Sequence, residues 1–178
     1  MKILIAYATT EGQTRKIARW VADRIFDQGH TVELAPLSDL EGIKLARFDG
    51  VILAASIHLG NYQSEFTEFA HRSAKRLSKQ PTLFLSVSLA AAGHDAEDWG
   101  GLDRTTEVFQ AATGWSPDRL VHVAGAYKPS KYDMFQRFVM RRVIAQKDPD
   151  KDLSFDHEYT DWTALGAEVD SWLAALSG

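Results

Sequence analysis

Residues 51–55 read Val-Ile-Leu-Ala-Ala, five apolar side chains in a row. A strand apolar on both faces must be covered on both faces, which points to a parallel sheet packed between two layers of helices. Similar short runs occur at 3–7 (Ile-Leu-Ile-Ala-Tyr), at 82–87 and at 119–126. A fifth strand is expected at 30–34, with Thr31 and Val32 at its centre and Pro36 closing it. The segments between these runs carry helical spacing. Ile17, Val21 and Ile25 lie four apart, Phe66, Phe69, Ala70 and Leu77 fall on one side of 64–77, and 102–112 stops at Gly114. The connection at 37–48 is polar, with room for one helical turn. Strands alternating with helices give an α/β fold: a doubly wound five-stranded parallel sheet, order 2-1-3-4-5, helices on both faces. The 178 residues are enough for one such domain with a full core.

In this architecture ligands bind beyond the carboxyl ends of the strands, where the strand order reverses. Three loops meet there: 9–14, 56–62 and 88–101. The first reads Thr9-Thr10-Glu11-Gly12-Gln13-Thr14 and joins the first strand to the first helix. Backbone N–H groups and the dipole at a helix start favour an anion. Gly12 permits a positive φ, and the threonine hydroxyls add donors. Neither the nucleoside-triphosphate loop, G-x-x-x-x-G-K-[ST], nor the dinucleotide fingerprint, G-x-G-x-x-G, is present. Two local readings stay open: a phosphate cradle, and an ordinary turn with Thr14 as helix cap.

The formal net charge is −4, which gives no bias toward nucleic acid. An anionic ligand is therefore expected to be held by local dipoles and donors. There are no cysteines, which excludes disulfides and thiolate metal sites. No run approaches membrane-spanning length, and strand residues from Lys2 leave no room for a signal peptide. The expectation is a cytoplasmic protein, with contact at the inner face of the cell membrane left open as an alternative. His58 and His94 fall in loops at the ligand end and are candidates for proton transfer, the alternative being exposed loop residues. His30, His71, His122 and His157 show no spacing that makes a metal site.

Residues 127–159 do not fit the alternation. A helix is expected over 131–146, with Phe135, Phe138, Val139, Val143 and Ile144 apolar. Lys128, Lys131, Arg137, Arg141, Arg142 and Lys147 outweigh the single acid Asp133. This basic, aromatic insertion suits an anionic partner, a substrate carboxylate or an anionic lipid surface reached through 128–147; a solvated basic face or an oligomer contact, such as a homodimer, is the alternative. A last helix follows, capped by Thr160 or Asp161, with Leu165, Val169, Trp172, Leu173 and Leu176 as its stripe.

The strand–Thr9-to-Thr14–helix unit resembles the flavodoxin-like family. More closely the chain resembles the bacterial menaquinone-dependent protoporphyrinogen oxidases. The residues that carry this are Glu11 to Arg15, Ala55-Ser56-Ile57 followed by Gly60 and Tyr62, Ala124-Gly125-Ala126, the basic insertion, and Tyr159-Thr160-Asp161-Trp162. The resemblance implies FMN as cofactor, oxidation of protoporphyrinogen IX in haem synthesis, electrons passed to a quinone, and peripheral membrane association. Carried over by position, the flavin contacts are Thr9, Thr10, Gly12, Gln13 and Thr14 for the phosphate. Ser56, Ile57, His58 and Gly60 follow in the second loop, and Ser88, Leu89, Ala90 and Ala91 in the third. Backbone N–H groups of the small third-loop residues are expected on the flavin carbonyls. Trp99 either covers the ring or tucks into the core.

Glu11 replaces a threonine usual in flavodoxins, and charge repulsion predicts that it turns to solvent. Ile57 stands where many flavodoxins carry an aromatic ring over the flavin, which opens one flavin face to a substrate. Two competing functions are an electron carrier with no substrate of its own and an FMN-dependent quinone reductase. Ile57 and the basic insertion favour the oxidase. The residue that takes the substrate proton stays unassigned.

Overall fold

The computed structural model describes residues 1–93, 96–131, 140–141, 144–145, 150 and 152–177. Five strands form the parallel sheet: β1 (Lys2–Ala8), β2 (Thr31–Pro36), β3 (Gly50–His58), β5 (Thr82–Ser88) and β6 (Arg119–Ala124). Their order is β2-β1-β3-β5-β6, the expected 2-1-3-4-5 once the two-residue β4 (Asn61–Tyr62), hairpinned onto β3, is counted. Helices α1 (Gln13–Asp27), α2 (Ser64–Leu77) and α3 (Ala96–Thr113) and a C-terminal helix (Trp162–Ser177) cover it.

Strand periodicity divides the core in two. Leu4, Ala6, Val51, Leu53 and Phe84 face one way, against α2 and α3. Ile3, Ile5, Ile52, Leu83 and Leu85 face the other, against α1 and the C-terminal helix. Ile17, Val21 and Ile25 are fully buried, so the four-residue spacing marks the face that packs. On the opposite side Phe66 stacks on Phe109 with ring centroids 5.0 Å apart and on Phe84 at 5.1 Å. Tyr62 adds its ring to the same cluster and its hydroxyl to Ser86, 2.8 Å away.

Several boundaries differ from the sequence reading. β2 runs to Pro36, because proline has no N–H to give and the strand lies at the edge of the sheet. The 37–48 connection holds two short 3₁₀ turns rather than one helical turn. Helix α3 begins at Ala96, six residues early, and takes in much of the expected 88–101 loop. Gly100 and Gly101 hid it, but Glu97 and Asp98 in its first turn suit the helix dipole.

The strand expected over 119–126 is broken at Gly125, whose N–H donates to Ser88 O at 2.9 Å and whose carbonyl accepts from Tyr159 N at 3.0 Å. A Cβ there would lie 3.3 Å from Val87 Cγ1. Beyond it β7 (Ala126–Tyr127) leaves the sheet and pairs antiparallel with β8 (His157–Glu158). At the C-terminal helix Asp161 is the cap, its Oδ1 accepting from Ala164 N at 2.9 Å, and Thr160 is used elsewhere. Most of the helix expected over 131–146 lies outside the described residues, including Phe135, Phe138, Arg137 and Arg142, as does His94.

Phe66 is the ring on which the α2–α3 side closes. Phe66→Ala is expected to cost about 3–5 kcal/mol, read as a lowered urea midpoint with an unchanged slope.

Candidate functional site

β1 ends at Ala8, and the chain turns through 9–12 into α1. Gly12 has φ 88°, the left-handed conformation that a side chain disfavours. Its N–H donates to Thr9 Oγ1 at 3.0 Å. No side chain caps α1, so Thr14 is not the cap; it is buried within the first turn. Lys16 N–H donates to the Gly12 carbonyl at 3.1 Å. The N–H groups of Gln13, Thr14 and Arg15 precede it and have no carbonyl within the helix to meet.

Gln13 and Thr14 line a cavity of about 260 Å³ over the carboxyl ends of β1, β3 and β5. Of the residues expected at the site, Thr9, Thr10, Gln13 and Thr14 line it from the first loop. Ser56, Ile57, His58 and Gly60 line it from the second, and Ser88, Leu89 and Ala90 from the third. Gly12 and Ala91 contribute no lining surface. Ala91 N–H donates to Ser88 Oγ at 3.1 Å, while Ala92 and Gly93 N–H close on Leu89 O and Ala90 O. These three amides are spent inside the 90–92 turn, so of the small third-loop residues expected on a ligand only Ala90 lines the cavity without such a bond. Trp99 fits neither earlier alternative. It is part-exposed, donates from Nε1 to Gly93 O at 3.0 Å and packs edge-on to His122.

Sequence reasoning missed several walls: Leu59, Val87, Gly125, Ala126 and Met140. Leu59 has φ 50° at the tip of the β3–β4 hairpin and is 70% exposed, a conformation no local residue pattern announces. It also missed Gln63, just before α2. Gln63 Nε2 donates to Ser56 Oγ at 2.5 Å and to Thr10 Oγ1 at 3.2 Å.

The hydroxyl chemistry follows from these bonds. Thr9, Thr10 and Ser56 each accept a hydrogen bond from within the protein, which leaves each hydroxyl hydrogen to be donated outward. Together with the helix amides they form a donor-rich wall suited to a phosphate. No lysine or arginine lines the cavity among the described residues. Two lining side chains carry a buried polar atom without a partner among those residues: Gln13 Oε1 and His58 Nε2. Such atoms are costly unless a ligand or water meets them.

Glu11 does not turn to solvent as expected. Its side chain is 18% exposed and lines the cavity, with Oε1 3.7 Å from His58 Nδ1. Lys128 Nζ, 3.5 Å from the Glu11 carbonyl, adds a cation nearby.

A family model described as "Flavodoxin domain" matches residues 4–154. The chain belongs to the flavodoxin family. It is 32% identical over 162 residues to a protein of Escherichia coli (strain K12) named "Protoporphyrinogen IX dehydrogenase [quinone]", covering 91% of this chain and 89% of that one. A Leishmania major protein of the same name is 28% identical, over 92% of this chain and 71% of its own. An archaeal flavodoxin structure superposes with TM-score 0.54 at 13% identity, each chain fully covered; this likeness concerns the fold.

In this flavodoxin-family chain the phosphate-type turn is fastened from behind by distant residues. Gln13, almost wholly buried, donates from Nε2 to Glu158 Oε2 at 2.8 Å and to Thr160 Oγ1 at 3.1 Å. Thr160 in turn donates to Ala124 O at 2.7 Å, at the end of β6. Glu158 also accepts from Lys16 Nζ at 2.6 Å and from Trp162 Nε1 at 3.0 Å. Burial works against its charge, but the hydrogen bonds from Lys16, Gln13 and Trp162 outweigh burial and hold its carboxyl below the ordinary carboxylate range.

A carboxyl lowered on folding stabilises the native state above its unfolded pKa, and that contribution is lost as pH falls through the lowered folded value. Glu158→Gln is therefore expected to destabilise the protein at neutral pH by about 1–2 kcal/mol. The gap between variant and wild type should narrow on acidification below about pH 4. Thermal unfolding followed by circular dichroism across that range checks it.

Proposed function

We propose that the protein is an FMN-dependent oxidoreductase that oxidises protoporphyrinogen IX to protoporphyrin IX and passes the electrons to a quinone, a step of haem synthesis. The observation that carries the reading is the donor-lined cavity at the β1–β3 switch point. It occurs in a chain that is 32% identical over most of its length to a protein named for this activity.

The donor set fits the flavin's phosphate end. The free amides at the start of α1 and the outward hydroxyl hydrogens of Thr9, Thr10 and Ser56 would hold the phosphate without a cationic side chain. Gln13 Oε1 is buried without a partner among the described residues, and a ribityl hydroxyl donating to it would satisfy it. Ile57 is half-buried against the α2-side core and leaves a low, non-aromatic wall beside the flavin ring, giving a substrate access. Bound there, FMN supplies two-electron oxidation of the substrate and reoxidation by quinone. Leu59 and Met140 present apolar surface at the same cavity, which suits a largely apolar tetrapyrrole. The basic residues of 128–147 would meet the substrate's propionates or an anionic membrane surface.

Purified protein reconstituted with FMN is expected to form protoporphyrin IX, read by its fluorescence, when a menaquinone analogue is supplied, and far more slowly without one. A protein that binds FMN yet leaves protoporphyrinogen untouched with every quinone tried would be a carrier instead.

Thr10→Val removes one hydroxyl donor and keeps the shape. It is expected to weaken FMN binding by about 1 kcal/mol, roughly fivefold in Kd, measured by quenching of flavin fluorescence.

A further inference from the structure

The geometry points to a histidine–carboxylate dyad at the cavity: His58 is the catalytic base of the oxidation, and Glu11 is the residue that positions it. This rests on the function proposed above and adds the proton acceptor that reading lacks.

His58 is the last residue of β3 and the only histidine among the described residues lining the cavity. Its two ring nitrogens sit in different surroundings. Nδ1 faces Glu11 Oε1 at 3.7 Å. Nε2 is buried with no hydrogen-bond partner among the described residues. A carboxylate beside Nδ1 favours the tautomer with the proton on Nδ1, leaving a bare lone pair on Nε2. The ring lines the cavity while Nε2 itself is covered, so the substrate reaches the lone pair as the ring turns on binding. The 3.7 Å separation is within ion-pair reach and longer than a hydrogen bond; base–carboxylate contacts of this kind tighten when the ligand is bound. Glu11 is itself held by the turn: Gly12 bonds Thr9, and the Glu11 carbonyl accepts from Lys128.

The first two-electron step removes a hydride from a bridging carbon of the tetrapyrrole and a proton from an adjacent pyrrole nitrogen. A flavin held at the cavity would be the oxidant, taking the electron pair of the C–H bond that breaks. The N–H bond breaks with its proton passing to His58 Nε2, and the electrons left on nitrogen close the new carbon–nitrogen double bond. Glu11 stabilises the imidazolium this creates. The proton then leaves to solvent through the open side of the cavity.

The test combines kinetics with a measurement that does not depend on turnover. In anaerobic single-turnover mixing, His58→Gln is expected to slow flavin reduction by protoporphyrinogen about a hundredfold. His58→Ala should be slowed as much and regain a large part of the rate on adding imidazole. In FMN-free protein labelled with ¹⁵N-histidine, the His58 shifts should report the Nδ1–H tautomer, and Glu11→Gln should mix the tautomers. FMN affinity is measured for each variant, so that rates are compared at full flavin occupancy.

If wild type reduces its flavin and His58→Gln does so at the same rate, the base assignment is overturned and the proposed function stands. A His58→Ala rate that imidazole leaves unchanged assigns the loss to structure and likewise overturns it. Tautomers unchanged in Glu11→Gln remove Glu11 from the dyad. If wild type fails to reduce its flavin with protoporphyrinogen at all, the proposed function falls and takes the base with it.

Discussion

The amide of Gln13 is the joint on which the ligand end of the molecule depends. A glutamine at the first position of α1 would ordinarily face water. Here it is buried and spends both hydrogens of one nitrogen on Glu158 and Thr160, more than 140 residues further along the chain. That choice fixes which way the amide points, because only the nitrogen can serve two acceptors. Its oxygen is left buried and without a partner among the described residues. Lys16 and Trp162 close the same carboxylate from two more sides, and Trp162 also receives Trp20 at 5.2 Å and the Lys16 ammonium at 5.3 Å. The hydrogen bonds and the aromatic contacts hold one geometry, so the first turn of α1 is set before a ligand arrives. Preorganisation of this kind spares a ligand the cost of ordering its own site.

The cavity is also an electrostatic compromise. An anion-binding wall built from amides and hydroxyls needs no lysine, and none lines it among the described residues. The same wall includes a carboxylate, Glu11. Repulsion between like charges argues for expelling that side chain, yet it stays in the wall, 3.7 Å from His58. The pair sits where β1 and β3 diverge, so the sheet's own geometry brings the two loops close enough for one to answer the other.

Much of this was legible in the residues. Uninterrupted apolar runs such as 51–55 identify buried parallel strands, and four-residue spacing at Ile17, Val21 and Ile25 identifies the covering helix. Strand order follows from handedness and fixes which loops converge. What was not legible has a common cause. Helix α3 starts in a stretch with two glycines and no apolar stripe, so its stability comes from tertiary packing that periodicity does not display. Gly125 breaks a strand because of what lies beside it, Val87 and the Ser88 backbone, and not because of its own neighbours in sequence. Gln63 and Glu158 reach the site from afar, as two ordinary polar residues. The orientation of Glu11 was misjudged because its partner lies 47 positions away, on another strand.

The sheet order carries a consequence for synthesis on the ribosome. Chains emerge from their amino end, and β1 is among the earliest residues out, yet it is an inner strand that must wait for 50–58 before it has neighbours on both sides. The turn that follows it waits far longer, since Gln13 has nothing to bind until residues 158–160 have cleared the exit tunnel. The pocket's first-translated wall is thus among the last parts of the molecule to be completed.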